Sequence, residues 1–398
     1  MRIVLFANSD WYLYNFRLPL AHHLRSLGHE VVLLSPPGEF AERFETEGYA
    51  WHAVEMCRRG LNPIEEVRTV RQLRQLYAEI KPDLVHHFTL KSVVYGSLAA
   101  RRSGVPGVVN AVTGLGYVYT DDSVKARAIR VVLTNLCRAA LKGTEVIFQN
   151  PDDAGIFVEA GLVPEDQCHL IYGSGVDTER FVTQPEEAGT PTVMLASRML
   201  WGKGVGDFVE AGRLLRDRNV SVRMRLVGPA DPDNHAAVPE ATLQAWNEEG
   251  AVEWLGFRED MDDLLRQSHI VCLPSQYGEG VPRILIEAAA SGRPLISTNR
   301  PGCREIVHHG TNGLVVPPED PEALADAIET LVTHPEQRLQ FGAAGRELVE
   351  AQFSERQVLR ETLKVYADAH PDFQVPLTVD EGFGGDGAAE SVSLSASS

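Results

Sequence analysis

The chain has 398 residues, 44% hydrophobic and 23% charged. That is room for two domains of ordinary size, because single cores rarely grow past about 250 residues. A formal net charge of -18 works against non-specific binding to nucleic acid or anionic lipid, and no apolar run approaches the ~18 residues of a membrane span. Five cysteines (Cys57, Cys137, Cys168, Cys272, Cys303) show no CxxC or Cys/His spacing. They read as small buried apolar residues rather than a zinc site or a disulfide framework.

In chain order, MRIVLFANSD carries a short apolar run that turns polar without a cleavage site, so it reads as a first strand rather than a signal peptide, with the protein expected in the cytosol. Short Val/Ile/Leu runs then alternate with amphipathic stretches, the pattern of βαβ units and buried parallel strands. The first half predicts strands at Ile3–Ala7, Val31–Ser35, Leu84–Phe88, Val108–Val112, Val146–Gln149 and Leu170–Tyr172. The second predicts them at Thr192–Ser197, Arg223–Gly228, Val252–Phe257, Ile270–Pro274, Pro294–Thr298 and Gly313–Val316. The fold class is α/β, two facing Rossmann-like doubly wound parallel sheets. Domains are expected at residues 1–185 and 186–353, divided by the Pro-, Gly- and Glu-rich stretch Thr183–Pro191. Charge divides there too: net -2 before residue 186 and -16 after it. Ser354–Ala369 predicts a closing helix with a Ser cap and apolar Val358, Leu359, Leu363 and Tyr366. Residues 370–398, rich in Gly, Ser and acid, read as a disordered tail.

Ligands of such sheets bind beyond the carboxyl ends of the strands, so the chemistry belongs in the loops that follow them. After Ile270–Pro274 comes SQYGEGVPRILIEAAASGRP. Its glycines and Pro282 predict a helix opening beside Gly280, whose free N–H groups and dipole suit a diphosphate. Glu279 stands just outside that helix and Glu287 over a turn into it. Carboxylates accept hydrogen bonds from sugar hydroxyls, so one could hold a ribose and the other a hexose; dipole stabilisation is the plainer role for a Glu at a helix start. After Thr192–Ser197, SRMLWGKGVGDF supplies Arg198 and Lys203, cations suited to a leaving diphosphate.

These loops resemble those of the retaining glycosyltransferases of family 4. So do NSDWYLYNFRLPLAHHLRSLGHEV, FTLKSVVYGSLAAR, VVNAVTGLGYVYT, FQNPDD, IYGSGVD, GFREDM, GCREIV and NGLVVPPEDPEALADAI. The subgroup they are similar to extends capsular, O-antigen and related glycans on undecaprenyl diphosphate. The resemblance implies the two-domain GT-B arrangement, a nucleotide-sugar donor with UDP expected, and no cofactor or metal. Arg198 and Lys203 would meet the donor diphosphate, Glu279 the donor sugar and Glu287 the ribose. Gly280, Val281 and Pro282 would complete the phosphate cradle, with the base near Gly256, Phe257 and Arg258. Two Asp-x-Asp pairs, Asp231 with Asp233 and Asp260 with Asp262, read as solvated loop carboxylates. The His that many family members carry after the strand matching Val108–Val112 is absent, since that loop reads Thr113, Gly114, Leu115, Gly116; Asn8, Ser9 and Asp10 stand where a glycine-rich first turn is common.

The first domain should hold the acceptor, a lipid-linked oligosaccharide. Asn15, Arg17, Lys91, Thr113, Gly114 and Arg283 are the candidate contacts, each of the three cations being equally readable as an ordinary surface charge. His86, His87, Asp10 and Asp121 are candidate bases with a structural alternative. Residues 124–143 form a basic amphipathic stretch, with Ile129, Val132, Leu133, Leu136 and Ala140 on one face. It either packs on its own sheet or rests on the inner face of the cell membrane. A transferase with a soluble or glycolipid acceptor, and an inactive nucleotide-sugar-binding partner, are the rival readings.

Overall fold

The computed structural model describes residues 1–57, 62–114, 124–232 and 234–375, with backbone alone for 124–132. In the first half β1 (Arg2–Ala7), β2 (Glu30–Ser35), β3 (Ala50–Ala53), β4 (Leu84–Phe88), β5 (Gly107–Val112), β6 (Glu145–Phe148) and β7 (Cys168–Leu170) alternate with helices. These are α1 (Asp10–Ser26), α2 (Ala41–Thr46), α3 (Pro63–Ile80), α4 (Leu90–Ser103), α5 (Val124–Leu141) and α6 (Pro151–Glu159). The second half holds β8 (Thr192–Ala196), β9 (Arg223–Val227), β10 (Glu253–Trp254), β11 (Ile270–Leu273), β12 (Leu295–Thr298) and β13 (Gly313–Val316). With them come α7 (Val205–Asp217), α8 (Glu240–Glu248), α9 (Met261–Arg266), α10 (Arg283–Ala290), α11 (Pro321–Thr333), α12 (Pro335–Leu348) and α13 (Glu355–Ala369).

Both sheets are parallel among the described residues. Their orders are β3-β2-β1-β4-β5-β6-β7 and β10-β9-β8-β11-β12-β13, each the doubly wound arrangement in which the chain reverses direction beside the first strand. Burial on both faces explains the unbroken apolar strands: β4 and β8 are buried throughout.

Several expectations shift. Ala50–Ala53 was not expected as a strand; it pairs with β2 at the sheet edge, largely exposed. The last strand of the first sheet is Cys168–Leu170 rather than Leu170–Tyr172, in register with Val146, Ile147 and Phe148. Ile171 is buried just after it. The strand expected over Val252–Phe257 pairs only at Glu253 and Trp254 before the chain turns at Gly256, with φ 64°.

The chain passes between cores early: Ile171 packs in the first, whereas Val176 and Phe181 already pack in the second. It returns at the closing helix. Ser354 Oγ accepts from Gln357 N, and Val358, Leu359, Leu363 and Tyr366 are buried in the first core. The expected tail starts later than residue 370, because Phe373 packs on the rings of Tyr366 and His29, 5.3 and 5.2 Å between centroids. Residues 376–398 lie outside the described residues. In α5 the packed positions are Leu133, Cys137, Ala140 and Leu141, with Leu136 exposed, so that end of the helix covers its own sheet. No helix among the described residues is long and apolar enough to cross a membrane.

Candidate active site

The loop after β8 reaches the cleft through a tight approach. Gly204 has φ 73°, and a Cβ there would overlap the carbonyl of Pro274 at the end of β11, so a side chain could not be accommodated. Lys203, one residue earlier, is thereby held over the loop that carries Glu279. Its Nζ donates to Glu279 Oε2, and Ser275 Oγ donates to Glu279 Oε1 at 3.0 Å. Burial alone would lower the Lys203 pKa, but the Glu279 carboxylate, aided by Tyr277, more than offsets it, and the net shift is upward. The ammonium stays charged.

Tyr277, which the sequence reading did not single out, forms the wall of this pocket. Lys203 Nζ lies 5.6 Å from its ring centroid, and a Cβ on Gly202 would overlap the ring. Arg198 is near enough to act electrostatically on Tyr277 and pairs with Asp231 at 3.1 Å, half of its side chain exposed to the cleft.

The helix carrying Glu287 begins at Arg283, with Pro282 as an extended cap that supplies no side-chain bond. Leu285 N and Ile286 N donate to the Pro282 carbonyl at 3.1 and 3.4 Å, so the N–H groups of Arg283 and Ile284 are the ones that the start of the helix leaves for another acceptor. Glu287 is 8% exposed, and burial raises its carboxyl, opposed by the charge and hydrogen bond of Arg283. Arg283 Nε donates to Glu287 Oε1 at 2.6 Å.

The two halves meet at this loop. Asn150 Nδ2 donates to the Glu279 carbonyl at 3.1 Å, and Arg304 pairs with Asp152. A Cβ on Gly280 would overlap both the Gln149 amide and the Thr113 carbonyl. Thr113 and Gly114 are thus brought against Glu279 and Gly280; Gln149 and Asn150 had been legible only as part of FQNPDD. Val281 is buried in the second core. Gly256 O accepts from Gly228 N at 2.7 Å beside the loop where Phe257 is 60% exposed, and Arg258 is tied to Asp260. Asp262 pairs with Arg180 at 2.9 Å, so the two carboxylates of that Asp-x-Asp pair serve separate arginines. Asp233 and Asp121 lie outside the described residues.

Each of the three candidate acceptor-side cations has partners within the protein. Arg17 is not on the cleft surface: it is 6% exposed, 4.4 Å from the Phe88 ring, with Nε and NH2 donating to Tyr12 Oη. Lys91 donates to Glu66 Oε1 at 2.8 Å and to the Cys57 carbonyl. Arg283 donates to the Asn15 carbonyl and to Glu287. The candidate bases are absorbed into the fold as well. Asp10 accepts from Trp11 N and Phe40 N at 2.7 and 2.8 Å, pinning α1 to the loop after β2. His87 is fixed by Asn110 at 2.8 Å and Tyr77 at 3.0 Å, and burial pushes its pKa down to about 4. His86 bonds Tyr366 of the closing helix at 2.8 Å, and burial likewise lowers its pKa.

Residues 2–150 match the family described as glycosyl transferase 4-like, and residues 190–334 match glycosyl transferases group 1. The chain belongs to this two-domain glycosyltransferase family. Among the relatives of this glycosyltransferase is the N,N'-diacetylbacillosaminyl-diphospho-undecaprenol alpha-1,3-N-acetylgalactosaminyltransferase of Campylobacter jejuni. It is 28% identical, over 92% of this chain and 98% of the relative. The UDP-Gal:alpha-D-GlcNAc-diphosphoundecaprenol alpha-1,3-galactosyltransferase of Escherichia coli is 26% identical over 75% and 78%. The fold is that of Anabaena HepE, solved in complex with UDP and glucose, at 20% identity over 91% and 98% with a TM-score of 0.74.

Proposed function

We propose that this glycosyltransferase moves a hexose or N-acetylhexosamine from a UDP-sugar to a sugar hydroxyl of an undecaprenyl diphosphate-linked glycan, with retention of anomeric configuration and without a metal. The observation that carries the reading is the partly buried Lys203–Glu279 pair beside the open start of the helix that bears Glu287. The two charges satisfy one another. A nucleotide sugar offers each a better partner, phosphate oxygens to Lys203 and sugar hydroxyls to Glu279, while Glu287 takes the ribose.

Arg198 and Lys203 neutralise the diphosphate as its bond to the sugar breaks, which is the part a metal would otherwise play. The acceptor hydroxyl attacks on the face the diphosphate leaves. Its proton passes to a departing phosphate oxygen, so no protein nucleophile is required. The lipid-linked acceptor is supported by the Campylobacter and Escherichia relatives, whose names specify such acceptors. It implies contact with the inner face of the cell membrane, for which we propose the side of residues 124–143 turned away from the sheet that Leu133, Cys137, Ala140 and Leu141 cover.

The test is a panel of UDP-sugars incubated, in the presence of EDTA, with undecaprenyl diphosphate-linked N-acetylhexosamine, the product's anomeric configuration being read by NMR. Transfer with the donor's configuration is expected. Transfer only to soluble sugars would replace the acceptor, inversion would replace the mechanism, and UDP binding with no turnover of any donor would make the chain a non-catalytic partner.

A further inference from the structure

Arg283 opens α10 four residues before Glu287, one turn apart, so the two side chains stand together on the cleft side of the helix. Nε donates to Glu287 Oε1 at 2.6 Å, NH1 donates to the carbonyl of Asn15 in α1, and the guanidinium lies 5.0 Å from the Phe16 ring centroid. One planar group is therefore bonded to a carboxylate of the second half and a backbone carbonyl of the first. Hydrogen bonds weaken steeply with misalignment, and the guanidinium fork is rigid, so a shift of α1 against α10 must reorient Arg283 and with it Glu287.

We propose that Arg283 is a positioning residue that ties the orientation and charge of the ribose-binding carboxylate to the seating of the acceptor domain on the donor domain. This rests on the assignment of Glu287 to the donor ribose. Donor affinity then depends on how α1 is seated.

The charges around the pair point the same way. Burial raises the Glu287 carboxyl; Arg283 opposes that first, then Arg180, while Asp262 adds to the rise. Glu355, packed on Gly175 at the start of α13, is pushed up to about 7 by burial and Asp177, again opposed by Arg283. Without Arg283 both carboxyls bind protons more readily. A protonated Glu287 no longer accepts from two ribose hydroxyls, so UDP affinity should fall as pH drops, and the fall should begin at higher pH in the variant than in the native chain.

The experiment is UDP titration by calorimetry between pH 6 and 8 on the full chain and on Arg283→Ala, Arg283→Lys, Phe16→Ala, Glu287→Ala and the double variants of Arg283→Ala with the last two. Arg283→Ala should weaken UDP about tenfold, and adding it to Glu287→Ala should cost nothing more. Phe16→Ala should weaken UDP about threefold in the native background and not at all in Arg283→Ala. Arg283→Lys keeps the charge and loses the fork, so it should weaken UDP without moving the pH profile. Additive losses, or an unshifted profile in Arg283→Ala, would overturn the coupling and leave the donor site standing. An unchanged UDP affinity in Glu287→Ala would overturn the donor assignment, and the coupling with it. Should Arg283→Ala not fold, Arg283→Lys and Phe16→Ala, each combined with Glu287→Ala, decide by the same additivity.

Discussion

The two sides of the cleft handle positive charge differently. On the second-half side Lys203 bonds the carboxylate of Glu279 and Arg283 that of Glu287, the two glutamates proposed to receive the donor. On the first-half side Arg17 lies buried on Phe88 and Lys91 is closed off by Glu66. A pair that a ligand can split, as proposed for Lys203–Glu279, or a cation that orients a binding carboxylate, as proposed for Arg283, is a binding device; a cation sealed against a ring or a carboxylate of the neighbouring helix supports the fold. Sequence position made the four look alike, since each follows a strand. Their partners separate them.

Substitutions on either side sharpen that contrast. Lys203→Ala should lower kcat by a factor on the order of 10² to 10³, the usual cost of one transition-state charge contact, and lower donor affinity less. Steady-state kinetics checks this, and equal losses in both would make Lys203 a ground-state binder. On the first-half side the largest effect should be on stability. His87 is neutral in the fold, its pKa pushed down to about 4. Its contribution is present above its unfolded value of about 6.5 and is lost as pH falls from there toward 4, on the order of 3 kcal/mol. Denaturation across that range should show the loss, and His87→Asn should flatten it.

Asp10→Ala removes the acceptor for Trp11 N and Phe40 N and should cost about 1–3 kcal/mol of stability, with turnover per folded molecule unchanged. A collapse of kcat in folded protein would instead make Asp10 the base. Lys91→Ala, the mildest, should leave the acceptor KM within about twofold, because its charge already belongs to Glu66. A tenfold rise would return Lys91 to the acceptor site.

The fold was legible where burial dictates composition. Leu84–Phe88 is a strand because both its faces are covered, and Val358, Leu359, Leu363 and Tyr366 mark the buried stripe of the closing helix. It was illegible where pairing, not hydrophobicity, sets the strand. AWHA at the edge has little apolar signal, and Ile171 is buried in a loop that its composition suggested was strand. The donor side was readable because its carboxylates and glycines sit within one strand-to-helix loop. The fate of Arg17 was not, since the Phe88 ring under it is 71 positions away and nothing local announces the stacking. Tyr277 was missed for a similar reason: its role depends on Gly202 opening a space beneath the ring.

Everything proposed for the donor turns on the buried carboxylate of Glu287, which, beside the Lys203–Glu279 pair, would receive the nucleotide. UDP titrated into the native chain and into Glu287→Ala measures this most directly. The expected result is a loss of about 1–3 kcal/mol in binding with an intact fold. Equal affinity in the two proteins would contradict the claim.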